Sequence, residues 1–291
     1  MRPFGYHAPT TLDEAIALLH ELGETGRPIA GGTDIVVQMK EGHTRFPYPH
    51  MVVGLNRIKG FQGIEFSETA GLRIGAGTTM ADIAAHKIIR ARYTALAEGA
   101  GVVGSLQTMN MGTIGGNVCN AAPSADSVPP LLALDADAVA VGRTGRREAP
   151  LTAFFAGPGR TMLKPGELLA ELRLPVPQAG SGSAYIRHTP RKQMDIAVVG
   201  VAVALTLNGD TIRHARVALG AVAPTPLRSP SAEAVLEGKP ATSETFARAA
   251  VAATNDCNPI SDVRGSAEFR RHLVRVLTER MLALAASRAR G

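Results

Sequence analysis

The first 176 residues mix helical and strand periodicities, which predicts a region of interspersed helices and strands. Thr11 and Glu14 form a T-x-x-E capping signal, and the apolar positions that follow recur at helical spacing until Gly23. An apolar segment at 28–30 then leads into a glycine pair, beyond which a second helix is expected from Ile35. The same patterns predict strands at 50–55, 72–79 and 137–142, and helices at 81–91, 93–98 and 127–136.

The pattern changes near residue 177, where the Gly- and Ser-rich segment 178–183 predicts a linker or exposed loop. Residues 195–207 contain the longest apolar run and predict a buried strand. The Asn208-Gly209 turn then predicts a hairpin with residues 211–222. Helices are expected at 231–237, 243–255 and 266–287, and the last one should present an apolar face made by Phe269, Leu273, Val276, Leu277, Met281 and Leu284.

The composition is that of a globular protein with a sizeable core and without a nucleic-acid signature. The chain has 291 residues, of which 45% are hydrophobic and 4% aromatic, and it has no tryptophan on which bases could stack. The formal net charge is +6, but the basic residues are scattered, and no nucleic-acid partner is expected. The densest basic cluster predicts a solvated helix face or a contact surface: Arg270, Arg271, Arg275, Arg280, Arg288 and Arg290.

The cysteines, histidines and apolar segments bear on disulfides, metal sites and cellular location. Two cysteines are too few for a disulfide framework or a four-cysteine iron–sulfur site, which favours a reducing compartment. The apolar run at 196–207 is too short to cross a bilayer, and no secretory signal is visible, so a cytoplasmic protein without a membrane span is expected. The eight histidines form no metal-binding pattern; they include His7, His20, His43 and His86.

One glycine-rich match is disfavoured by its context. Residues 99–104 fit G-x-G-x-x-G, and Asp126 follows at a spacing typical of a dinucleotide fingerprint. That fingerprint requires a strand before the first glycine and a helix after the last one. Residues 93–98 favour helix instead, so we do not expect a Rossmann fold here.

Two other glycine-rich loops have a composition suited to an anionic ligand. Residues 30–34 (Ala-Gly-Gly-Thr-Asp) lead into a helix start, and residues 112–117 (Gly-Thr-Ile-Gly-Gly-Asn) repeat a hydroxyl, two glycines and an amide. Free backbone N–H groups in such loops form concave anion sites. Two of them would suit a ligand with two phosphates, such as a dinucleotide, with Asp126 accepting from a ribose or ribityl hydroxyl. The alternative is two ordinary tight turns, in which Gly-Gly is common.

Three segments together resemble one known family. They are IAGGTDIVVQMK (29–40), QTMNMGTIGGNVCNAAPSADSVPPLLALDA (107–136) and RKQMDIAVVGVA (191–202), and they follow the family's order over nearly the whole chain. The family is the FAD-binding medium subunit of molybdenum hydroxylases, which includes the flavoproteins of carbon monoxide dehydrogenase and bacterial xanthine dehydrogenase.

The resemblance implies an α+β fold with a FAD-binding domain of the p-cresol methylhydroxylase type, built from two α+β subdomains. That domain would span residues 1–176, with subdomains of about 1–55 and 56–176. A C-terminal domain of sheet and helices would follow at 177–291.

The resemblance also implies which residues hold FAD. One side of the site is assigned to Ile29, Ala30, Gly31, Gly32, Thr33, Asp34 and Ile35. The other side is assigned to Gly112, Thr113, Ile114, Gly115, Gly116 and Asn117. Asp126 would bind a cofactor hydroxyl, and the residues near the flavin ring would be Thr108, Asn110, Leu169 and Arg187. Met109 stands where relatives commonly have arginine, which removes a positive charge near the flavin. No catalytic residue and no metal ligand is implied.

Some polar residues near these loops also have ordinary structural explanations. Ser124 and Asp126 would suit the cap of the helix predicted from residue 127, and capping is compatible with ligand binding. Asp195 precedes a strand that it would terminate or cap. Cys119 follows the second loop and is predicted to be a small buried filler.

By this resemblance the chain is the FAD-carrying electron-transfer subunit of a molybdenum hydroxylase. A small subunit with two [2Fe-2S] clusters would supply electrons, and a large subunit would hold the molybdenum–pterin site, in a dimer of heterotrimers. The flavin would pass the electrons to an external acceptor, since the chemistry belongs to the cofactor. Two alternatives remain: a stand-alone FAD-dependent oxidase or dehydrogenase of the same superfold, and a redox-inactive nucleotide-binding or scaffold module.

Overall fold

The computed structural model describes residues 1–42 and 46–291, so His43 lies outside the described residues. Helices and strands are interspersed, and the strands form a parallel sheet near the N-terminus, a five-stranded antiparallel sheet and a C-terminal antiparallel sheet. This architecture confirms the predicted α+β class. Within the described ranges, none of the helices has the length and apolar character needed to cross a membrane.

The small parallel sheet positions the first glycine-rich loop. Its elements are β1 (Gly5–His7), α1 (Leu12–Leu22), β2 (Gly26–Ile29), α2 (Ile35–Glu41) and β3 (Met51–Gly54). The strands pair in the order β1-β3-β2, and the loop leaves the carboxyl end of β2. Thr11 accepts a hydrogen bond from the N–H of Glu14 and caps α1 as predicted. The Glu14 carboxylate, however, accepts from the N–H of Thr10 and does not complete the reciprocal capping box.

The antiparallel sheet follows, in the order β4-β5-β10-β6-β7. Its strands and a short adjoining pair are β4 (Ile64–Ser67), β5 (Gly71–Gly75), β6 (Asp137–Gly142), β7 (Gly145–Pro150), β8 (Phe155–Gly157), β9 (Arg160–Thr161) and β10 (Leu168–Leu174), where β8 pairs with β9. The strand predicted to continue to residue 79 ends at Gly75. There the chain bends back, and the N–H of Gly77 donates to the carbonyl oxygen of Phe61.

Short helices share one hydrophobic core with this sheet. They are α3 (Met80–Ala85), α4 (Lys87–Arg92), α5 (Thr94–Gly101), α6 (Leu106–Met111), α7 (Ile114–Asn120) and α8 (Val128–Ala133). The single helix predicted at 81–91 is wrong, because His86 is extended, with φ −67° and ψ 125°. Ile83 and Ile89 would point about 120° apart on a continuous helix. The break lets both side chains become fully buried.

The C-terminal sheet pairs in the order β11-β12-β13-β14, entirely antiparallel. The elements of this region are β11 (Ser181–His188), β12 (Val199–Asn208), β13 (Thr211–Gly220), β14 (Leu227–Arg228), α9 (Pro230–Leu236), α10 (Ser243–Ala253) and α11 (Ala267–Arg290). The predicted loop at 178–183 is therefore wrong from residue 181 onward. The hairpin turn is Gly209-Asp210, and Gly209 rather than Asn208 has the positive φ, at 57°.

The β12 strand is buried on both faces, which explains its continuous apolar sequence. Val201 and Val203 belong to the core shared with α10 and α11, whereas Ala202 between them belongs to the core of the preceding region. The two valines face the C-terminal helices and the alanine faces the preceding region, so the sheet lies between two layers. Tyr185 on β11 points into the same core as Ala202.

The face of α11 differs from its prediction. Phe269 and Leu284 are exposed, whereas Leu273, Leu277 and Met281 are buried as expected. The arginine cluster is not uniformly solvated either. The buried guanidinium of Arg270 donates to the carbonyl oxygen of Val198, just before β12, and to the Asp262 carboxylate. The guanidinium of Arg288 donates to the Glu98 carboxylate and to the carbonyl oxygen of Ser183.

Candidate functional site

The two glycine-rich loops, far apart in sequence, touch each other in the structure. A Cβ atom built on Gly31 would lie 1.8 Å from the carbonyl oxygen of Met111, immediately before the second loop. A Cβ on Gly112 would lie 3.5 Å from the Thr33 hydroxyl. Gly31 is therefore needed because the backbones of the two loops approach too closely for any side chain there.

A cavity of about 240 Å³ opens beside this contact. Ala30 and Gly31 line it from the first loop. Thr113 of the second loop and Asn110, two residues before that loop, line it from the opposite side of the loop contact. Sequence reasoning missed the remaining lining residues, which are Leu55, Asn56, Phe61, Gln62, Gly77, Thr79 and Met111. The one available signal was Gly75-x-Gly77. A Cβ on Gly77 would lie 2.7 Å from Phe61 Cδ1, so the glycine permits a close approach that the motif alone did not explain.

The first loop has the free backbone donors that an anion requires. In the part of the chain that the structure describes, the N–H groups of Gly31, Gly32 and Thr33 make no hydrogen bond. Gly32 has a φ of 75°, a conformation that favours glycine. Two residues of the predicted set flank these donors: Ile29 ends β2, and Ile35 begins α2. Asp34 is the N-cap of α2 without a side-chain cap bond.

The second loop differs, and this corrects the expectation of a second set of free amides. The N–H of Ile114 donates to Thr78, and that of Gly115 donates to Ala76, both to carbonyl oxygens. The N–H of Gly116 donates to the Thr113 hydroxyl, which caps α7. The loop's first amides are thus occupied by the protein, because α7 is anchored to the segment that follows β5.

What the second loop offers a ligand is side chains and open space. The Thr113 hydroxyl accepts from Gly116, which leaves its own proton free to donate. Asn117 Oδ1 accepts from Ser127 at 2.6 Å, which leaves the Asn117 Nδ2 donor. A Cβ on Gly116 would meet only the Thr113 hydroxyl oxygen, at 3.0 Å. By contrast, a Cβ on Gly115 would lie 2.6 Å from the Ala76 Cβ, so Gly115 is required by packing.

The residues predicted to lie near the flavin occupy different surroundings. Thr108 forms a capping box with Ser105 at the start of α6, and Asn110 donates from Nδ2 to the carbonyl oxygen of Leu106. Leu169 is buried in the main core, next to a bulge in β10. Met109, the departure from the usual arginine, packs partly buried against the same core.

Asp126 and Arg187 meet in a buried cluster with Tyr185. The Tyr185 hydroxyl donates to Asp126 Oδ1 at 2.7 Å, and Arg187 Nη1 donates to Asp126 Oδ2 at 2.5 Å. Asp126 therefore does not cap α8, contrary to one expectation; the N-cap position is Ser127, whose side chain makes no cap bond and donates to Asn117 instead. Tyr185 and Arg187 line a second cavity of about 560 Å³, together with Glu98, Gly101, Val102, Ile186, His188, Thr189, Pro190 and Lys192.

The electrostatics of this cluster are set by burial. Loss of solvation raises the pKa of the Asp126 carboxyl to about 6, although Arg187 and the Tyr185 hydroxyl both favour its charged form. Burial and the neighbouring carboxylate raise the pKa of Tyr185 well above its usual value, so the phenol is a hydrogen-bond donor. Arg187 Nη2 is buried and, among the described residues, has no hydrogen-bond partner. This nitrogen has almost no accessible surface, so in this conformation it is not open to a ligand.

Two neighbouring residues have structural roles. Cys119, predicted to be a small buried filler, packs partly buried against the main core, and its loss of solvation raises the pKa of the thiol to about 12. Asp195 accepts hydrogen bonds from the N–H groups of Arg191 and Ile196 and so stabilises the turn before β12.

These features suit a phosphate-bearing cofactor. The first loop presents free amides, Gly116 leaves space without a side chain, and Arg187 lines the second cavity. FAD has phosphates for the first and polar flavin atoms for the last, so the residues present fit this cofactor.

Comparison with known proteins then identifies the family. Residues 2–177 match the family model described as the FAD binding domain in molybdopterin dehydrogenase. Residues 184–285 match the model of the CO dehydrogenase flavoprotein C-terminal domain. The chain belongs to this family of FAD-binding subunits of molybdenum-containing dehydrogenases, which confirms the resemblance drawn from its motifs.

Individual relatives agree over nearly the full length. The carbon monoxide dehydrogenase medium chain of Hydrogenophaga pseudoflava is 37% identical, and the alignment covers 96% of both chains. The xanthine dehydrogenase FAD-binding subunit of Escherichia coli O157:H7 is 33% identical, with 98% of this chain and 97% of the relative covered. A solved carbon monoxide dehydrogenase structure from Hydrogenophaga pseudoflava superposes with a TM-score of 0.93 at 38% identity, covering 99% of both chains.

Proposed function

We propose that this chain is the FAD-carrying electron-transfer subunit of a molybdenum hydroxylase. When bound, FAD supplies the redox chemistry, because it accepts electrons and passes them to an external acceptor. The chain's own residues bind and orient the cofactor and tune its electrostatic surroundings. The observation that carries the proposal is the pair of touching loops, one with free amides and one with an open glycine, in a chain of this family.

The individual assignments follow from the contacts above. The free N–H groups of Gly31, Gly32 and Thr33 would bind the diphosphate, with Ile29, Ala30, Asp34 and Ile35 shaping their loop. Across the cavity, Thr113 and Asn117 would donate from their side chains, while Gly112, Ile114, Gly115 and Gly116 fix the backbone. Thr108, Asn110, Leu169 and Arg187 would surround the flavin end. Asp126 would reach a cofactor hydroxyl only in competition with its two present partners.

Partners and location belong to the same proposal. Relatives named as medium chains imply a large and a small partner, which we assign to the molybdenum–pterin site and to two [2Fe-2S] clusters. A dimer of heterotrimers in the cytoplasm is the arrangement we propose. A division into residues 1–176, with subdomains of about 1–55 and 56–176, and residues 177–291 is supported by the sheets, since no strand pairing crosses residue 176 within the described ranges.

The first test is an absorption spectrum of the chain purified alone and of the chain isolated with its native partners. We expect flavin absorption in the chain alone, and iron and molybdenum only in the native complex. A colourless chain that takes up no added FAD would contradict the proposal. A yellow chain that turns over an organic substrate without partners would instead support a stand-alone flavoenzyme.

A variant then tests the open glycine. In Gly116→Val the branched side chain should block the approach of the cofactor and leave an apo protein of normal thermal stability. Gly116→Ala is the graded control, because its methyl group would meet only the Thr113 hydroxyl. If Gly116→Val retains full FAD content, the assignment of the second loop is wrong.

A further inference from the structure

Tyr185 contacts the Asp126–Arg187 ion pair through its hydroxyl and is not among the residues assigned to the cofactor above. Its hydroxyl donates to Asp126 Oδ1 at 2.7 Å, on the oxygen opposite the one that holds Arg187. All three side chains are buried: Arg187 is 5% exposed and Asp126 8%. One phenol and one guanidinium thus share a single carboxylate in the protein interior.

The surrounding chain is built to place this phenol. A Cβ on Gly200 of β12 would lie 2.8 Å from the Tyr185 hydroxyl oxygen, but 3.4 and 3.5 Å from the nearest ring carbons. Glycine at this position therefore makes room for the hydroxyl and not for the ring. Gly200 pairs with Arg187 across the two strands, so the same backbone site serves both side chains.

The backbone of Tyr185 is fixed as well. Its N–H donates to Glu98 Oε2 at 2.7 Å, and Glu98 Oε1 accepts from Arg288 Nη2 at 2.6 Å. Glu98 lies on α5 and Arg288 on α11, so Tyr185 is held between helices of both regions. A side chain anchored at both its backbone and its hydroxyl has little freedom to release the carboxylate.

We propose that Tyr185 is a positioning residue for the cofactor: through the Asp126 carboxylate, its hydroxyl fixes the Arg187 guanidinium, and with it the Arg187 side chain that lines the second cavity, where the flavin end would lie. The inference rests on the proposed function for its last step only. The first step, the coupling of Tyr185 to Arg187, is a property of the chain itself.

The physical reason is the sharing of the carboxylate. A buried carboxylate with two donors has one preferred orientation, whereas one donor leaves it free to rotate and leaves an oxygen unsatisfied. In Tyr185→Phe the ring and its packing remain, and only this donor is lost. Arg187 then loses the fixed acceptor that defines its position.

The decisive experiment compares Tyr185→Phe with Tyr93→Phe as a matched control. Tyr93 is also buried, and its hydroxyl donates to the carbonyl oxygen of Pro175 at 2.9 Å, away from the Asp126 cluster. We expect Tyr185→Phe to weaken FAD binding about three- to tenfold, less than the loss of a direct hydrogen bond to a charged group, because Tyr185 acts on the cofactor only through Asp126 and Arg187. Tyr93→Phe should change FAD affinity by less than about twofold. The midpoint potential of bound FAD should also shift in Tyr185→Phe and not in the control.

A double-mutant cycle with Arg187→Gln separates positioning from general destabilisation. If Tyr185 acts through Arg187, the effects of Tyr185→Phe on FAD affinity and potential should disappear in the Arg187→Gln background. Urea unfolding of the apo chains gives the same cycle without cofactor. There, Tyr185→Phe should change the unfolding constant less in the Arg187→Gln background than in the wild type. Equal effects in both backgrounds, or equal effects of the two tyrosine variants, would overturn the proposal.

Gly200→Ala tests the role of the Tyr185 hydroxyl from the neighbouring strand. It should displace the Tyr185 hydroxyl and weaken FAD binding, and it should be better tolerated in Tyr185→Phe, where the nearest contacts are ordinary. An equally harmful Gly200→Ala in both backgrounds would contradict the role of the hydroxyl. Failure of the wild-type chain to bind FAD would overturn the proposed function, whereas the apo cycle would still decide the Tyr185–Arg187 coupling.

Discussion

The two glycine-rich loops look alike in sequence and differ in structure. Both combine a hydroxyl, a glycine pair and an amide or carboxylate side chain. In the first loop, three consecutive N–H groups lack partners among the described residues. In the second, the N–H groups of Ile114, Gly115 and Gly116 all donate within the protein. The first loop is therefore the donor surface, and the second is the support that carries side chains to it.

The glycines of the two loops divide their work in a parallel way. Gly31 and Gly115 each stand where another part of the chain passes too closely for a Cβ. Gly32 has a positive φ, and Gly116 borders open space. One glycine of each pair thus serves the fold, and the other shapes the site. Substitutions should separate these roles: changes at Gly31 and Gly115 should cost stability, a change at Gly116 should cost mainly cofactor, and a change at Gly32 should cost some stability too, because its φ of 75° strains other residues.

The largest effect is expected for Gly31→Ala. Its methyl group would overlap the carbonyl oxygen of Met111 at 1.8 Å, and backbone on both sides would have to move. We expect unfolding to become easier by more than about 3 kcal/mol, with loss of FAD, because the two loops would separate. Thermal or urea unfolding of the apo chain measures the first effect, and flavin absorbance measures the second.

A suitable control is Gly101→Ala in the last turn of α5. The nearest atom to its Cβ is the Ala84 Cβ at 3.8 Å, so the substitution should be neutral or slightly stabilising. If Gly31→Ala were as stable as Gly101→Ala, the close approach of the two loops would not exist in solution.

Gly115→Ala should come second. Its methyl group would lie 2.6 Å from the Ala76 Cβ and 2.7 Å from the Ala76 carbonyl oxygen. Overpacking of this kind costs about 1–3 kcal/mol, and the paired Gly116→Ala should cost less than about 0.5 kcal/mol. Urea unfolding of the two single variants gives the comparison directly. Equal stabilities would mean that the neighbouring glycines do not have different roles.

The contrast between the loops shows what sequence reasoning reached and where it stopped. Local signals were sufficient for the glycine loop after the apolar segment 28–30, for the helix from Ile35 and for the Thr11 cap. The satisfied amides of the second loop were not predictable, because their acceptors at Ala76 and Thr78 lie far away in the sequence. The break at His86 was likewise hidden, since it depends on which way Ile83 and Ile89 must point in the core. Asp126 showed a carboxylate near the loops but not that Tyr185 and Arg187 occupy it.

Thr113→Val tests the support role of the second loop at a smaller scale. The substitution removes the hydroxyl that accepts from Gly116 and caps α7. Loss of such a cap costs about 1 kcal/mol of stability. Urea unfolding should show this loss without cofactor present. A variant as stable as the wild type would indicate that the cap bond contributes nothing in solution.

Thr33→Val is the counterpart in the first loop and should have the smallest effect on the fold. The Thr33 hydroxyl makes no hydrogen bond within the described ranges, so its removal should change apo stability by less than about 0.5 kcal/mol. If the first loop is the donor surface, the same change should weaken FAD binding about tenfold or more, because one hydrogen bond to a charged phosphate is lost. Fluorescence titration of the apo chain with FAD measures this directly. A stability loss equal to that of Thr113→Val, with unchanged FAD affinity, would show that both hydroxyls are structural and that the two loops do not differ in the way the backbone indicates.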